Sequence, residues 1–264
     1  MHAMKVLTVF ALSLAFAAPA QADTMRLEVG KPLAHFAKLR PGVHRYVRYT
    51  VSVDGSRKAI DIWQRTVSFS PDTEGRPDAL HITQRWDRAD GSRILIQDSW
   101  FDARTFTPRT HVRHTVKDGK DDYAGYRFDT AQVVGMADLA NNSRKGFVMA
   151  LPEPSYNFET DMELFQTLPM ASGRTFNIPF YDAGIDKPAR YNFVVAGSET
   201  IPGPDGRPID CWLVTADYNT GKIGARFWFA KSNQVLIHEE APMDGGATLV
   251  KTLLPPEAGD AKAA

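Results

Sequence analysis

Residues 155–169 read Ser-Tyr-Asn-Phe-Glu-Thr-Asp-Met-Glu-Leu-Phe-Gln-Thr-Leu-Pro, and this stretch decides the fold. Phe158, Met162 and Phe165 recur at i, i+4 and i+7, with Leu164 and Leu168 widening the stripe, which is the spacing of a helix with one buried face. Asn157 stands where a cap belongs, and Glu159, Asp161 and Glu163 put negative charge near the positive helix N-terminus. Pro169 ends the run. The spacing predicts one amphipathic helix over about 155–168, set between two strand-rich stretches.

Upstream, Val47, Tyr49, Val51 and Val53 alternate along Arg45–Val53, and Asp54-Gly55 signals a turn. Ala59–Phe69 follows, then a Pro/Asp/Gly loop. Leu80–Asp87 and Arg93–Phe101 flank Asp90-Gly91, while Arg104–Lys117 and Asp121–Val134 flank Asp118-Gly119. Val133–Leu139 and Gly146–Leu151 surround Asn141-Asn142-Ser143. Downstream, strands are expected over Arg174–Tyr181, Arg190–Ser198, Ile209–Asp217, Gly224–Phe229, Val235–Glu240 and Ala247–Leu254. Short turns between neighbours make an antiparallel meander. Ile60 and Ile62 oppose Trp63, Val67 and Phe69, and Ile94, Ile96 and Trp100 oppose Leu95 and Phe101. Apolar residues on both faces imply a sheet curled around something, either the helix or a cavity.

The first segment reads as an address. Lys5 precedes the apolar run Val6–Phe16, and Ala20-Gln21-Ala22 is an A-x-A cleavage site. That run is shorter than the ~20 apolar residues a membrane span needs, and no later stretch is long enough. Residues 1–22 are therefore expected to be a signal peptide cleaved after Ala22, which implies export to the periplasm. Residues 23–254 are expected to be one β-rich domain, and residues 255–264, poor in large apolar side chains, a disordered tail.

The chain holds 31 Lys+Arg against 31 Asp+Glu, a balance that excludes nucleic acid as a natural partner. The first half is the more basic and the second the more acidic, which would favour docking of halves or of molecules, although solvated faces explain it as well. The single cysteine, Cys211, excludes an internal disulfide framework. In phase with Ile209 and Leu213, it reads as a small buried hydrophobe.

Signatures of common chemistry are missing. There is no G-x-S-x-G elbow, S-x-x-K, P-loop or G-x-G-x-x-G. His111 and His114 would share a face on a helix but point to opposite sides of a strand, so no shared metal is expected. His238-Glu239-Glu240 lacks the second His of a zinc-protease motif. Arg109, His111 and Arg113 share a strand face, suited to phosphate or carboxylate groups but expected on a solvated outer surface. Asp121, Asp122 and Asp129 have nothing that fixes their separation.

The order of several segments adds a resemblance. Tyr126-Arg127-Phe128-Asp129, the strand end Val134-Gly135, Leu151-Pro152-Glu153 and Tyr156 precede the helix. Gly173-Arg174-Thr175-Phe176-Asn177-Ile178-Pro179-Phe180, Tyr191-Asn192-Phe193-Val194-Val195-Ala196-Gly197, Ala225-Arg226-Phe227-Trp228-Phe229 and a last strand ending at Lys251 follow it. Residues 123–254 thereby resemble an exported bacterial family known only as a domain of unknown function. That family is similar to the half-open β-barrel lipoprotein carriers and lipoprotein-sorting proteins. Residues 43–117 fit more loosely, through Pro41-Gly42, Tyr46 and Tyr49. The resemblance implies a periplasmic β-rich scaffold and carries no catalytic residues.

The expected fold is thus a strongly curved antiparallel sheet, a half-open or closed barrel, with the helix across its concave face. Two functions fit it: a non-enzymatic protein binding an acyl chain or other apolar molecule, or an envelope interaction module with a filled core. Neither calls for a cofactor, a metal, catalytic residues or a transmembrane span, and the partners are a lipid or apolar small molecule, or an envelope protein. If a ligand binds, Phe158, Met162 and Phe165 would face it from the helix, and Trp63, Trp86, Trp100 and Trp228 from the strands.

Overall fold

The computed structural model describes residues 23–76, 78–222 and 224–257. The expected signal peptide and residues 258–264 of the expected tail lie outside these.

Asp-Gly pairs turn the chain where alternation stops. At Asp118-Gly119 both residues have positive φ (52° and 69°), and Lys117 pairs directly with Lys120. This is the twist a two-residue hairpin needs, and glycine reaches it without a Cβ penalty. Similar turns generate a first meander: β2 (Gly42–Val51), β3 (Arg57–Ser70), β4 (Ala79–Arg88), β5 (Arg93–Asp102), β6 (Pro108–Lys117), β7 (Lys120–Phe128), β8 (Gln132–Gly135) and β9 (Val148–Ala150). A second runs β11 (Thr175–Tyr181), β12 (Ala189–Pro202), β13 (Pro208–Ala216), β14 (Ala225–Ala230), β15 (Leu236–Pro242) and β16 (Thr248–Leu253).

The two meanders join through β16 and β2, antiparallel from Thr248↔Val51 to Leu253↔Tyr46. The result is one curved sheet that does not close into a barrel. It is not wholly antiparallel. β1 (Thr24–Arg26) and β10 (Tyr156–Asn157) both pair with β11 in parallel, β1 from the far end of the described chain and β10 across the helical segment.

The helix lies on the concave side but is shorter than its sequence pattern. Tyr156 and Asn157 belong to β10, Phe158–Thr160 is a 3₁₀ turn, and α1 spans Asp161–Thr167. Asn157 does cap, its side chain accepting from the Glu159 N–H at 3.2 Å. Leu168 is already extended, as the residue before a proline should be. Seven residues cannot hold a helix in water alone, so packing holds this one. Met162, Leu164, Phe165 and Leu168 are buried among Tyr46, Val67, Ile178, Val214 and Leu236. Phe165 meets the rings of Phe193 at 4.9 Å and Phe229 at 5.1 Å. Each such side chain removed from water contributes ~1.5–3 kcal/mol.

The outer face is not covered by a second layer. Ile62 remains 43% exposed, and the other outward aromatics cover one another across strands, as in the His81–Trp100 stack at 3.8 Å. Cys211 is buried with Trp228, Ala230 and Ile237, where burial pushes its thiol up to about 11. Among the described residues no helix is long and apolar enough to cross a membrane.

Candidate functional site

The concave face is dry around the C-terminal part of the helix and hollow beside its beginning. A cavity of about 1270 Å³ opens there, between the 158–161 segment, the strands β3 to β6 and the 182–187 loop. Its aromatic wall is Trp63, Trp86, Phe147, Phe158, Tyr181, Tyr191 and Tyr218. Phe158 stacks on Phe180 at 4.5 Å and meets Tyr191 at 5.4 Å. Trp63 and Trp86 pair across β3 and β4 with ring centres 4.8 Å apart.

Beneath the aromatics lies a set of charged groups that strand alternation turns inward. Arg65, in phase with Trp63 and Val67, is 1% exposed and meets Glu163 of α1 through two parallel hydrogen bonds, one of 2.8 Å from Nε. Its guanidinium also donates to the Glu159 carbonyl, so one arginine ties the helix to the sheet. Glu159 accepts from Gln84 Nε2 and, at 2.7 Å, from Gln97 Nε2. Arg113 reaches Asp182 and the Ala183 carbonyl, anchoring the 182–187 loop, and its Nη2 stands 3.8 Å from Glu159. Farther along, Lys251 pairs with Glu239 and lies over the Trp63 ring at 4.6 Å. Arg48 pairs with Asp61 at 2.7 Å and lies over Trp86 at 4.0 Å.

Burial shifts these groups in one direction. It raises the Glu159 carboxyl, helped by Asp182, against the pull of Arg113. It raises Asp161 to about 6, against Arg65 and Lys251. Asp182 is raised by burial despite Arg113 beside it.

Ser99 Oγ lies 2.8 Å from His111 Nδ1, and His111 Nε2 lies 3.9 Å from Glu159. The order imitates a serine–histidine–carboxylate relay, but the hydroxyl is at the wrong end. Ser99 and His111 are both fully buried, and only Glu159 reaches the cavity. Burial and Arg113 hold the imidazole pKa well below its usual value, so the ring is neutral. A nucleophile must touch its substrate, and this serine does not.

Of the seven expected binding residues, Trp63, Trp86 and Phe158 line the cavity. Met162 and Phe165 are core residues turned from it. Trp100 and Trp228 sit on the outer face, Trp100 stacked on His81 and Trp228 donating to Glu199 at 2.8 Å. The Arg109–His111–Arg113 stripe also reverses its expected side. His111 is buried, Arg109 pairs with Asp72 at 2.9 Å, and Arg113 lines the cavity. Arg65, Gln84, Gln97, Glu159 and Asp161 did not emerge from sequence. One signal was present: an arginine between Trp63 and Val67 on the same strand face needs a buried partner.

No curated protein matches the chain. Among solved structures, a β-barrel-like protein of the DUF1849 family from Brucella abortus superposes with a TM-score of 0.53 at 14% identity, over 82% of this chain and 97% of that one. At such identity the likeness speaks for the fold alone. A DUF1089 family protein from Pseudomonas aeruginosa matches at 10% identity over 66% and 87%, TM-score 0.38. A LolA superfamily protein from Nitrosomonas europaea matches at 10% identity over 84% and 87%, TM-score 0.20, and neither of these superpositions carries an argument. The model of a family described as protein of unknown function (DUF3108) matches residues 48–252, most of the sheet and the whole helix, and the chain therefore belongs to the DUF3108 family.

Proposed function

We propose that this is a periplasmic, non-enzymatic binding protein that takes an apolar or amphipathic molecule, such as one bearing an acyl chain, into the cavity beside Phe158. The observation that carries this reading is the cavity itself. About 1270 Å³ walled by Trp63, Trp86, Phe158, Tyr191 and Tyr218 is well above the ~300 Å³ at which ligand pockets begin. A filled core would have no such space. The periplasmic part rests on Val6–Phe16 and the Ala20-Gln21-Ala22 site. The non-enzymatic part rests on the burial of Ser99 and His111 behind the cavity wall.

A second reading, an envelope interaction module, is favoured by β9, a short edge strand whose Val148 is 65% exposed. One titration separates the two. The neutral fluorophore N-phenyl-1-naphthylamine, added to the mature protein, should show saturable enhancement that Trp63→Ala or Phe158→Ala weakens several-fold. Native mass spectrometry of gently purified protein should show a co-purifying small molecule. No saturable signal and no adduct would leave the module reading in place of ours.

A further inference from the structure

The loop that joins β11 to β12 stands at the opening of the cavity. Ile185, Asp186 and Lys187 line the cavity and are also exposed, Ile185 by 63%, which places them on its rim. The loop is bonded to itself more than to its surroundings. The Asp182 carbonyl accepts from the Ile185 N–H at 3.1 Å and the Asp186 N–H at 3.4 Å, and the Gly184 N–H donates to the Tyr181 hydroxyl at 3.2 Å. Among the described residues, Asp186 and Lys187 form no ion pair, and neither does Arg93, the other exposed cation of the lining. The loop's hydrogen bonds to the first meander, again among the described residues, all come from one side chain. Arg113 of β6 donates to the Asp182 carboxylate and to the Ala183 carbonyl.

That guanidinium has a second claimant. The Nη2 that meets Asp182 stands 3.8 Å from Glu159 Oε1, too far for a hydrogen bond but close enough for a small turn to make one. Glu159 Oε1 meanwhile accepts from Gln97 at 2.7 Å and lies 3.9 Å from the neutral His111 ring. The cation therefore serves the shallower carboxylate, for the Asp182 side chain is 25% exposed and that of Glu159 12%. With Arg113 turned inward, Glu159 would gain the direct charge partner it lacks, and water would meet Asp182 at the rim. Burial makes an unpaired carboxylate costly and exposure makes it cheap, so what one position loses the other recovers. Two arrangements of similar free energy are what a switching element needs.

Resting on the binding function proposed above, we propose that the 182–187 loop is a lid on the cavity, latched by Arg113 on Asp182 and released when the guanidinium turns to Glu159. Ile185 is its apolar tip, bare while the cavity is empty and buried against the hydrocarbon when the lid closes over a ligand.

The test is stopped-flow fluorescence of N-phenyl-1-naphthylamine entering the mature protein at pH 7.5. Asp182→Asn removes the latch and should raise the association rate constant at least fivefold. Arg113→Lys, which keeps the charge but loses the fork, should raise it as well. Glu159→Gln removes the alternative partner, leaves Arg113 on Asp182, and should slow association several-fold. Hydrogen exchange supplies a readout without the probe: the Ile185 and Asp186 amides should exchange faster in Asp182→Asn and slower in Glu159→Gln. A residue that is only part of the wall would change dissociation and leave association alone. Association unmoved by Asp182→Asn, or moved in the same direction by Asp182→Asn and Glu159→Gln, would overturn the proposal. If the probe binds at rates these variants do not alter, the lid falls alone; if the wild type gives no saturable signal, the binding function falls and the lid with it.

Discussion

Phe158 and Phe165 lie seven residues apart on one helical segment, yet they meet different surroundings. Phe165 is 3% exposed and wedged between Phe193 and Phe229, with Met162, Leu164 and Leu168 closing the space around it. Phe158 touches Phe180 on one side and the cavity on the other. One short segment serves as a plug at its end and as a wall at its beginning. The periodicity that places both phenylalanines on the apolar stripe says nothing of this, because a stripe describes a face and not what fills the space opposite.

The sharpest break of that comparison is truncation at each end. Phe165→Ala should cost ~3–5 kcal/mol, because a dry, close-packed site cannot collapse onto the hole. Phe158→Ala should cost only ~1–2 kcal/mol, since one side of the ring already lacks packing partners. Denaturant melts of both variants check this, and equal losses would mean the cavity is filled in solution. The charged plug is the next lever. Arg65→Met leaves the Glu163 carboxylate buried alone and should cost ~3–5 kcal/mol, whereas Arg65→Met with Glu163→Leu should return to within ~1 kcal/mol of the wild type. A double variant as damaged as the single would show that the pair does more than neutralise itself.

A smaller effect is expected at the cavity mouth. Gly184 has φ of 76°, and a Cβ there would stand 2.0 Å from Tyr126 Oη. Gly184→Ala combines a left-handed backbone with a clash, and should cost ~1–2 kcal/mol. The 182–187 loop carries Asp182, Ile185, Asp186 and Lys187 of the cavity lining, so probe affinity should change as well. A stability loss with unchanged affinity would separate the loop from the site.

Much of the fold was legible because it is local. Asp54-Gly55, Asp90-Gly91 and Asp118-Gly119 each turn the chain between strands that then pair, and Asn157 caps where its neighbours say it should. The parallel pairings of Met25 with Phe176 and Tyr156 with Phe180 were not legible. The first joins remote segments and the second closes across the helix, and no turn signal specifies either. The site was legible only in part, for a reason of symmetry. Alternation separates the two faces of a strand without saying which is concave. Trp63 and Trp86 fell inside, while Trp100 and Trp228, read the same way, fell outside. Glu159, Asp161 and Glu163 suited a helix N-terminus, and that local explanation hid the fact that the sheet sets Glu163 against Arg65 and Glu159 against Gln84 and Gln97, and leaves Asp161 on the cavity wall.

The smallest effect tests the wall end of the helix through pH. Burial raises the Asp161 carboxyl from 3.8 to about 6 in the folded protein. The native state therefore binds a proton that the unfolded chain has released between these two values. Stability must fall as pH rises through that window and level off above it, the opposite of a salt-bridged aspartate. The full shift would correspond to about 3 kcal/mol, but a partly exposed carboxyl at a cavity wall is screened, and about 1 kcal/mol is the figure to expect. Asp161→Asn cannot ionise and escapes the penalty. It should match the wild type near pH 4 and exceed it by about 1 kcal/mol at pH 7.5, less a few tenths for the lost charge at the helix N-terminus. Paired urea melts at the two pH values read the difference directly. A gap of the same size at both would mean that Asp161 does not titrate in this window, and that the beginning of the helix is as dry as its end.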